Sequence, residues 1–205
     1  MPIMTAIPLF EYGEGTGAIG CVSITSPVFL SEEEAFAIIY AAFAEAGLDL
    51  RQGGETLNGV NLPITDALDQ GDPNGRYSTT QGSMIPDGML DAYGLPVAFV
   101  STRDVADWYD NTGMGASVSS YNTRKTARTL AENNPYLAVF YDPVSSVDYN
   151  KVWELEQEAG ESDEDFQARW EAMEQEISQE SQTESARLLR LQVDAFIEWL
   201  ATACR

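Results

Sequence analysis

From Ser31 onward the chain falls into a helical rhythm. Ala35, Phe36, Ile38, Ile39, Ala42, Phe43 and Ala46 recur at steps of three and four, the period of a helix with one buried face. Ser31 followed by Glu32, Glu33 and Glu34 reads as a capping box, with carboxylates at the positive end of the helix. Gly47 stands where a helix C-terminus turns into the left-handed region. The pattern predicts a helix over 32–46.

Two continuous apolar runs, 96–101 and 136–141, predict strands buried on both faces. Residues 19–25 alternate well enough for another strand, which Pro27 stops. Residues 48–64 read as a hairpin turning near Gly53 and Gly54. The stretch 65–88, rich in Gly, Pro, Asp and Asn, reads as a long loop, and 110–120 as a second one. Thr102 opens a short helix through Trp108 and Tyr109. Thr123 to Glu132 reads as a helix with Ala127, Leu130 and Ala131 inward.

Toward the C-terminus, Phe166, Trp170, Met173 and Ile177 recur at helical steps, and Leu189, Val193, Phe196, Ile197 and Leu200 continue an apolar face. This predicts one long helix, with a break near Ser178 to Ser185 as the alternative. Its first half either extends outward or pairs with 147–158. The expected fold is α+β: a mixed or antiparallel sheet of about four or five strands, packed by the 32–46 helix and a long acidic C-terminal helix. The expected organisation is a single domain over 1–205, with 1–18 a flexible leader and 145–185 an acidic helical excursion.

Composition narrows the chemistry. The 205 residues include 33 acids, 11 bases and no histidine, for a formal net charge of −22. Hydrophobic residues make up 44%, enough for a folded core. Without histidine there is no Ser-His-Asp triad, no Cys-His pair and no imidazole base. The charge opposes nucleic-acid binding and favours basic partners. The one basic cluster, Arg124, Lys125 and Arg128, reads as the polar face of a helix.

No apolar run is long enough for a transmembrane helix, and Met1 to Phe10 lacks the make-up of a signal peptide. The chain as given reads as soluble and cytoplasmic, or exported if a leader has been removed. Cys21 and Cys204 read as free thiols, with one disulfide as the alternative.

Several patterns invite a chemical reading. Gly15-Thr16-Gly17-Ala18-Ile19-Gly20 fits G-x-G-x-x-G, but a strand follows where a dinucleotide site needs a helix N-terminus. Asp69, Asp72, Asn74 and Gly75 resemble part of a calcium loop, yet Gln70 and Gln81 fall where its first and last carboxylates belong. Ser117, Ser119 and Ser120 lack a base at Ser-x-x-Lys spacing. No metal or cofactor is expected.

Carboxylate catalysis is the enzyme option left. Asp104, Asp107 and Asp142 fall at the ends of the two buried strands, beside Trp108, Tyr109 and Tyr141, aromatics of the kind that stack on a sugar. The competing reading makes Asp104 a cap residue three after Ser101, Asp142-Pro143 a turn, and the aromatics core.

Three stretches together resemble a bacterial domain family of unknown function: Gly20 to Val22 with Pro27 to Ala35, Ala138 to Pro143, and Leu191 to Leu200. They cover roughly a fifth of the chain. The resemblance implies export or a lipid anchor, and it brings no activity or functional residue with it.

The function expected first is non-catalytic binding through an acidic surface. From Glu154 to Glu184 the chain holds twelve acids and one base, Arg169. Glu154, Glu158, Asp163, Asp165, Glu171 and Glu174 are the expected contacts for a basic protein or peptide. The alternatives are a carboxylate-dependent hydrolase, glycosidase-like or peptidase-like, and an acidic immunity-type inhibitor of a basic partner. Oligomeric state is left open.

Overall fold

The computed structural model describes residues 6–20, 28–66, 72, 74–109, 118–144 and 150–203. Its strands are β1 (Thr16–Gly20), β2 (Leu50–Gln52), β3 (Leu57–Pro63), β4 (Thr79–Met84), β5 (Gly88–Leu90), β6 (Leu95–Val100), β7 (Val118–Asn122) and β8 (Ala138–Tyr141). Its helices are α1 (Glu32–Glu45), α2 (Thr102–Asp107), α3 (Thr123–Asn133), α4 (Asn150–Trp153) and α5 (Asp163–Ala203). The expected α+β fold with a mixed sheet and a long C-terminal helix is what forms.

Alternation along two short strands sets the layers. The central sheet runs β2-β5-β6-β8, antiparallel except for the parallel pair β6–β8. Leu95, Val97 and Phe99 of β6 and Ala138 and Phe140 of β8 face one core, with Ile39, Ala42 and Phe43 of α1 and Leu189, Val193, Phe196 and Leu200 of α5. Ala98, Val100, Val139 and Tyr141 face the opposite core, with Val105 of α2, Ala127 and Leu130 of α3, and Val60 of β3. Both faces are covered, so both strands are apolar at every position. The parallel pair requires a crossover, which α2, β7 and α3 supply.

Helix α1 ends as its sequence predicts. Ser31 Oγ accepts from Glu34 N, and the Glu34 carboxylate accepts from Ser31 N at 2.9 Å. At the other end Gly47 has φ of +71°, Leu48 N donates to Phe43 O and Gly47 N to Ala44 O. That pair of bonds is a Schellman cap.

Four expectations are corrected. Residues 48–64 do not pair with each other: β2 pairs with β5, and β3 pairs with β4. Gly53, at φ +66° with its N–H on Asp87 O, turns the chain between them. The expected loop 65–88 contains β4, whose Thr-Thr-Gln-Gly-Ser-Met gives no apolar alternation. The part of the expected leader that the structure describes is packed. Ile7 is buried with its N–H on Pro135 O, Glu11 pairs with Arg128, and Gly15 N donates to Pro143 O at 2.8 Å. The basic cluster is not a solvated face, since Lys125 and Arg128 are 5% and 7% exposed.

Helix α5 is unbroken, about 60 Å long at 1.5 Å per residue. The polar interval from Ser178 to Ser185 keeps the stripe intact: Ile177, Ser181, Ser185, Leu189 and Val193 are buried at steps of four. Here the helix is tied to α1 through Gln182 to Glu34 and Arg190 to Glu45. Small serine side chains allow helices to approach closely.

Two buried carboxamides finish the strand edges. Gln192 Oε1 accepts from Tyr141 N at 3.1 Å, and its Nε2 donates to Tyr141 O at 3.1 Å and Tyr12 O at 3.2 Å. Asn134 treats Asn61 of β3 alike, with both bonds at 3.0 Å. Each side chain stands where the peptide group of a further strand would be. Gln192→Leu, close in volume, takes the partner from Tyr141 N and O, while Tyr12 O keeps the Tyr141 hydroxyl; it should cost about 2–3 kcal/mol, read as a lower urea midpoint.

Candidate functional site

Asp142 is set by the end of β8. Its residue is 0% exposed. Oδ2 accepts from Leu30 N at 2.8 Å, and Oδ1 from Val144 N at 3.1 Å. Loss of water pushes its pKa up to about 6, against the two N–H bonds, which pull it down. Both oxygens are engaged in holding the entry to α1 against the end of β8.

Asp104 is at the third position of α2 and closes a capping box. Its Oδ2 accepts from Ser101 N at 2.8 Å and from Ser101 Oγ at 2.8 Å. Burial raises its pKa, and Glu32 and Asp107 add to the rise. Asp107 itself is exposed, 3.8 Å from Arg103.

Of the aromatics of the expected carbohydrate site, Tyr141 is closed off from solvent. Tyr141 is 0% exposed inside the second core, with its hydroxyl 2.9 Å from Tyr12 O, and burial raises its pKa. Trp108 is half-buried against the same core and accepts at its carbonyl from Thr65 N. Tyr109 is half-buried and bridges to Thr65. Tyr141 is thus part of the core, while Trp108 and Tyr109 stay partly exposed at the end of α2.

The other motifs resolve as follows. Gly17 and Gly20 lie within β1, which pairs with β7. Gly15 has φ of +61°, and a Cβ there would sit 2.7 Å from Cβ of Arg124. Asn74 N donates to Asp72 Oδ1 and Gly75 N to Asp72 O, an Asx-type turn. Asp69, Ser117, Cys21 and Cys204 lie outside the described residues, as does the strand expected beyond residue 20. Ser119 and Ser120 belong to β7. Among the described residues no three metal-ligating side chains converge, and no helix is long and apolar enough to cross a membrane.

The acidic excursion has a different character. Val152 of α4 packs on Ile177 of α5, with Trp170 and Met173 around them. Ser162 caps α5 through Asp165 N at 3.1 Å. Arg169 turns inward: it pairs with Glu161 at 2.8 Å, donates to Glu156 O at 2.8 Å and lies over the Phe166 ring. The one base between Glu154 and Glu184 is therefore spent within the arm.

Glu154, Glu158, Asp163, Asp165 and Glu171 are exposed and Glu174 is half-buried. Among them stands Trp153, 58% exposed, which sequence pattern had not singled out. The only available signal was its position at the end of an apolar pair, Val152-Trp153, of which one member is buried. Against protein-family models, curated proteins and solved structures alike, the chain finds no match.

Proposed function

We propose that the protein is a non-catalytic interaction protein whose acidic segment, residues 154 to 184, binds a basic protein or peptide. The observation that carries this reading is Trp153, more than half exposed, at the start of a segment, Glu154 to Glu184, whose one base, Arg169, turns inward; the exposed Lys151 lies just before it. An indole face beside carboxylates suits an arginine or lysine side chain, which takes the carboxylates as ion pairs and the ring as a cation–π partner. The expected catalytic groups support the same reading by their occupation, because Asp142 and Asp104 are committed to backbone donors.

A test uses an oligo-arginine peptide titrated into the full chain. Binding should weaken as salt rises. Trp153→Ala should reduce affinity about three- to fivefold, the worth of an exposed cation–π contact. Glu154→Lys with Glu158→Lys should reduce it further, while Glu55→Lys, exposed elsewhere, should act only through net charge. Salt-insensitive binding, or an equal loss from Glu55→Lys, overturns the assignment.

A further inference from the structure

Strand edges are treated unequally in this protein. The outer edge of β8 is finished by Gln192 and that of β3 by Asn134. Strand β2 is short and carries the exposed Arg51. Strand β4 has none of these devices, which proteins ordinarily use to guard an edge. It runs for six residues, pairs on one side with β3, and holds neither a proline nor a charged side chain. The bulge in this pair lies on β3, where Gly59 has φ of +74°.

The ladder fixes which groups of β4 face outward. In an antiparallel pair the N–H and C=O of one residue point to the same side, and the sides alternate along the strand. Asn61 gives both groups to Asn134, so its partner Gln81 turns both away from β3. Thr79 and Ser83, two residues to either side, do the same. Ser78 O accepts from Ile64 N on the β3 side, as this alternation requires. Among the described residues, no main-chain group bonds to the outward N–H and C=O of Thr79, Gln81 and Ser83.

Charge decides what can lie there. From Tyr77 to Pro86 no residue is charged, in a chain whose formal net charge is −22. Two copies repel each other over most of their surface, and this edge lets them meet without opposing carboxylates. Ile85, 64% exposed, adds an apolar group at its end. A free peptide bound as a strand draws its specificity from pockets for alternate side chains. Thr79, Gln81 and Ser83 on one face, and Thr80 and Gly82 on the other, are not bulky or apolar enough to wall such pockets. A second copy brings a strand already ordered by its own β3, so the ordering cost of a free peptide does not arise.

We propose that β4 pairs with β4 of a second copy of this chain, antiparallel about a two-fold axis at Gln81, which joins the two β3–β4 pairs into one sheet. In that register Gln81 faces Gln81, Thr79 faces Ser83 and Thr80 faces Gly82, and each outward N–H meets an outward C=O. The contact does not use the acidic arm. Salt separates the two: screening favours the approach of two acidic chains, whereas it weakens the binding of a cationic peptide.

The test is light scattering on the full chain at about 10 µM and about 1 mM, a range that covers a weak specific contact, at low and at high salt. Dimer should accumulate with concentration and with salt. Gln81→Pro removes an N–H that the β3 ladder does not use and should weaken pairing about tenfold or more. Gln81→Lys and Gln81→Glu, at an exposed position, each set like charges opposite one another and should weaken it about two- to fivefold. Their equimolar mixture should associate more strongly than either alone, and Trp153→Ala should associate like wild type. Amide exchange reads the register: the N–H groups of Thr79, Gln81 and Ser83 should gain protection with concentration, and those of Thr80 and Gly82 should be protected throughout. A wild type still monomeric at about 1 mM in high salt overturns the proposal. So does a dimer that Trp153→Ala abolishes, or one that neither Gln81→Pro nor Gln81→Lys weakens. If the chain stays monomeric while an added oligo-threonine peptide protects the Gln81 N–H, the edge belongs to a foreign strand and the second copy is overturned.

Discussion

Phe196→Ala is expected to lower stability by about 3–5 kcal/mol, the range for deleting a buried aromatic ring. Phe196 is 1% exposed and gathers its neighbours edge-on: Phe140 at 5.6 Å, Phe43 at 5.9 Å and Phe10 at 6.3 Å between centroids. Trp199 lies at 5.9 Å from the same ring. These rings come from α1, β8, α5 and the N-terminal segment. None of the four can close the cavity without leaving another contact. For a domain stable by about 5–15 kcal/mol, the loss is roughly a fifth of the total or more. Urea unfolding followed by tryptophan fluorescence measures it. Trp153→Ala, at an exposed site, should leave the midpoint unchanged, so loss of binding by that variant cannot be ascribed to unfolding.

Asp142→Asn should cost about 2–4 kcal/mol. The wild-type carboxylate accepts from two main-chain N–H groups, one on each oxygen. An amide has one acceptor oxygen, so its NH2 must face either Leu30 N or Val144 N. One buried donor is then unpaired, at about 1–3 kcal/mol, and two donors are forced together. Calorimetry or urea unfolding at pH 7 reads the effect directly. The hydrolase reading requires the opposite, an activity lost with melting unchanged. An Asp142→Asn protein with wild-type stability would remove the brace described above and return Asp142 to the candidate acids.

Legibility along this chain followed how local the cause was. Helix α1 could be read because Ser31, Glu34 and Gly47 act within a turn of themselves. Strands β6 and β8 could be read because both faces are covered and every position is apolar. The pairing of β3 with β4 could not, since β4 has polar or small side chains and its partner is decided by what α3 offers, Asn134 and Leu130 among them. Helix α3 misled for a related reason. Thr123, Thr126 and Thr129 are buried, yet each hydroxyl is bonded to a main-chain carbonyl, so polar residues behave there as core. Ser181 and Ser185 did the same in α5.

The candidate site divides along that line too. The cap roles of Asp104 and Asp142 are written in Ser101-x-x-Asp104 and in Asp142-Pro143. That Ser101 Oγ also comes within 3.4 Å of Glu32 is not, because it needs the first turns of α1 and α2 to meet. The exposure of Trp153 was likewise invisible: Val152 beside it is buried, and which of two adjacent apolar residues turns outward depends on the packing of α5.

Gln192 also has a bearing on the order in which the protein is made. The main-chain groups it completes belong to Tyr12 and Tyr141, both synthesised well before it. Until α5 has been made, the outer edge of β8 is therefore bare, and the hollow that receives Phe196 is empty. Completion of this sheet on the ribosome must wait for α5, and the nascent protein passes through a period in which an open strand edge is available to other chains.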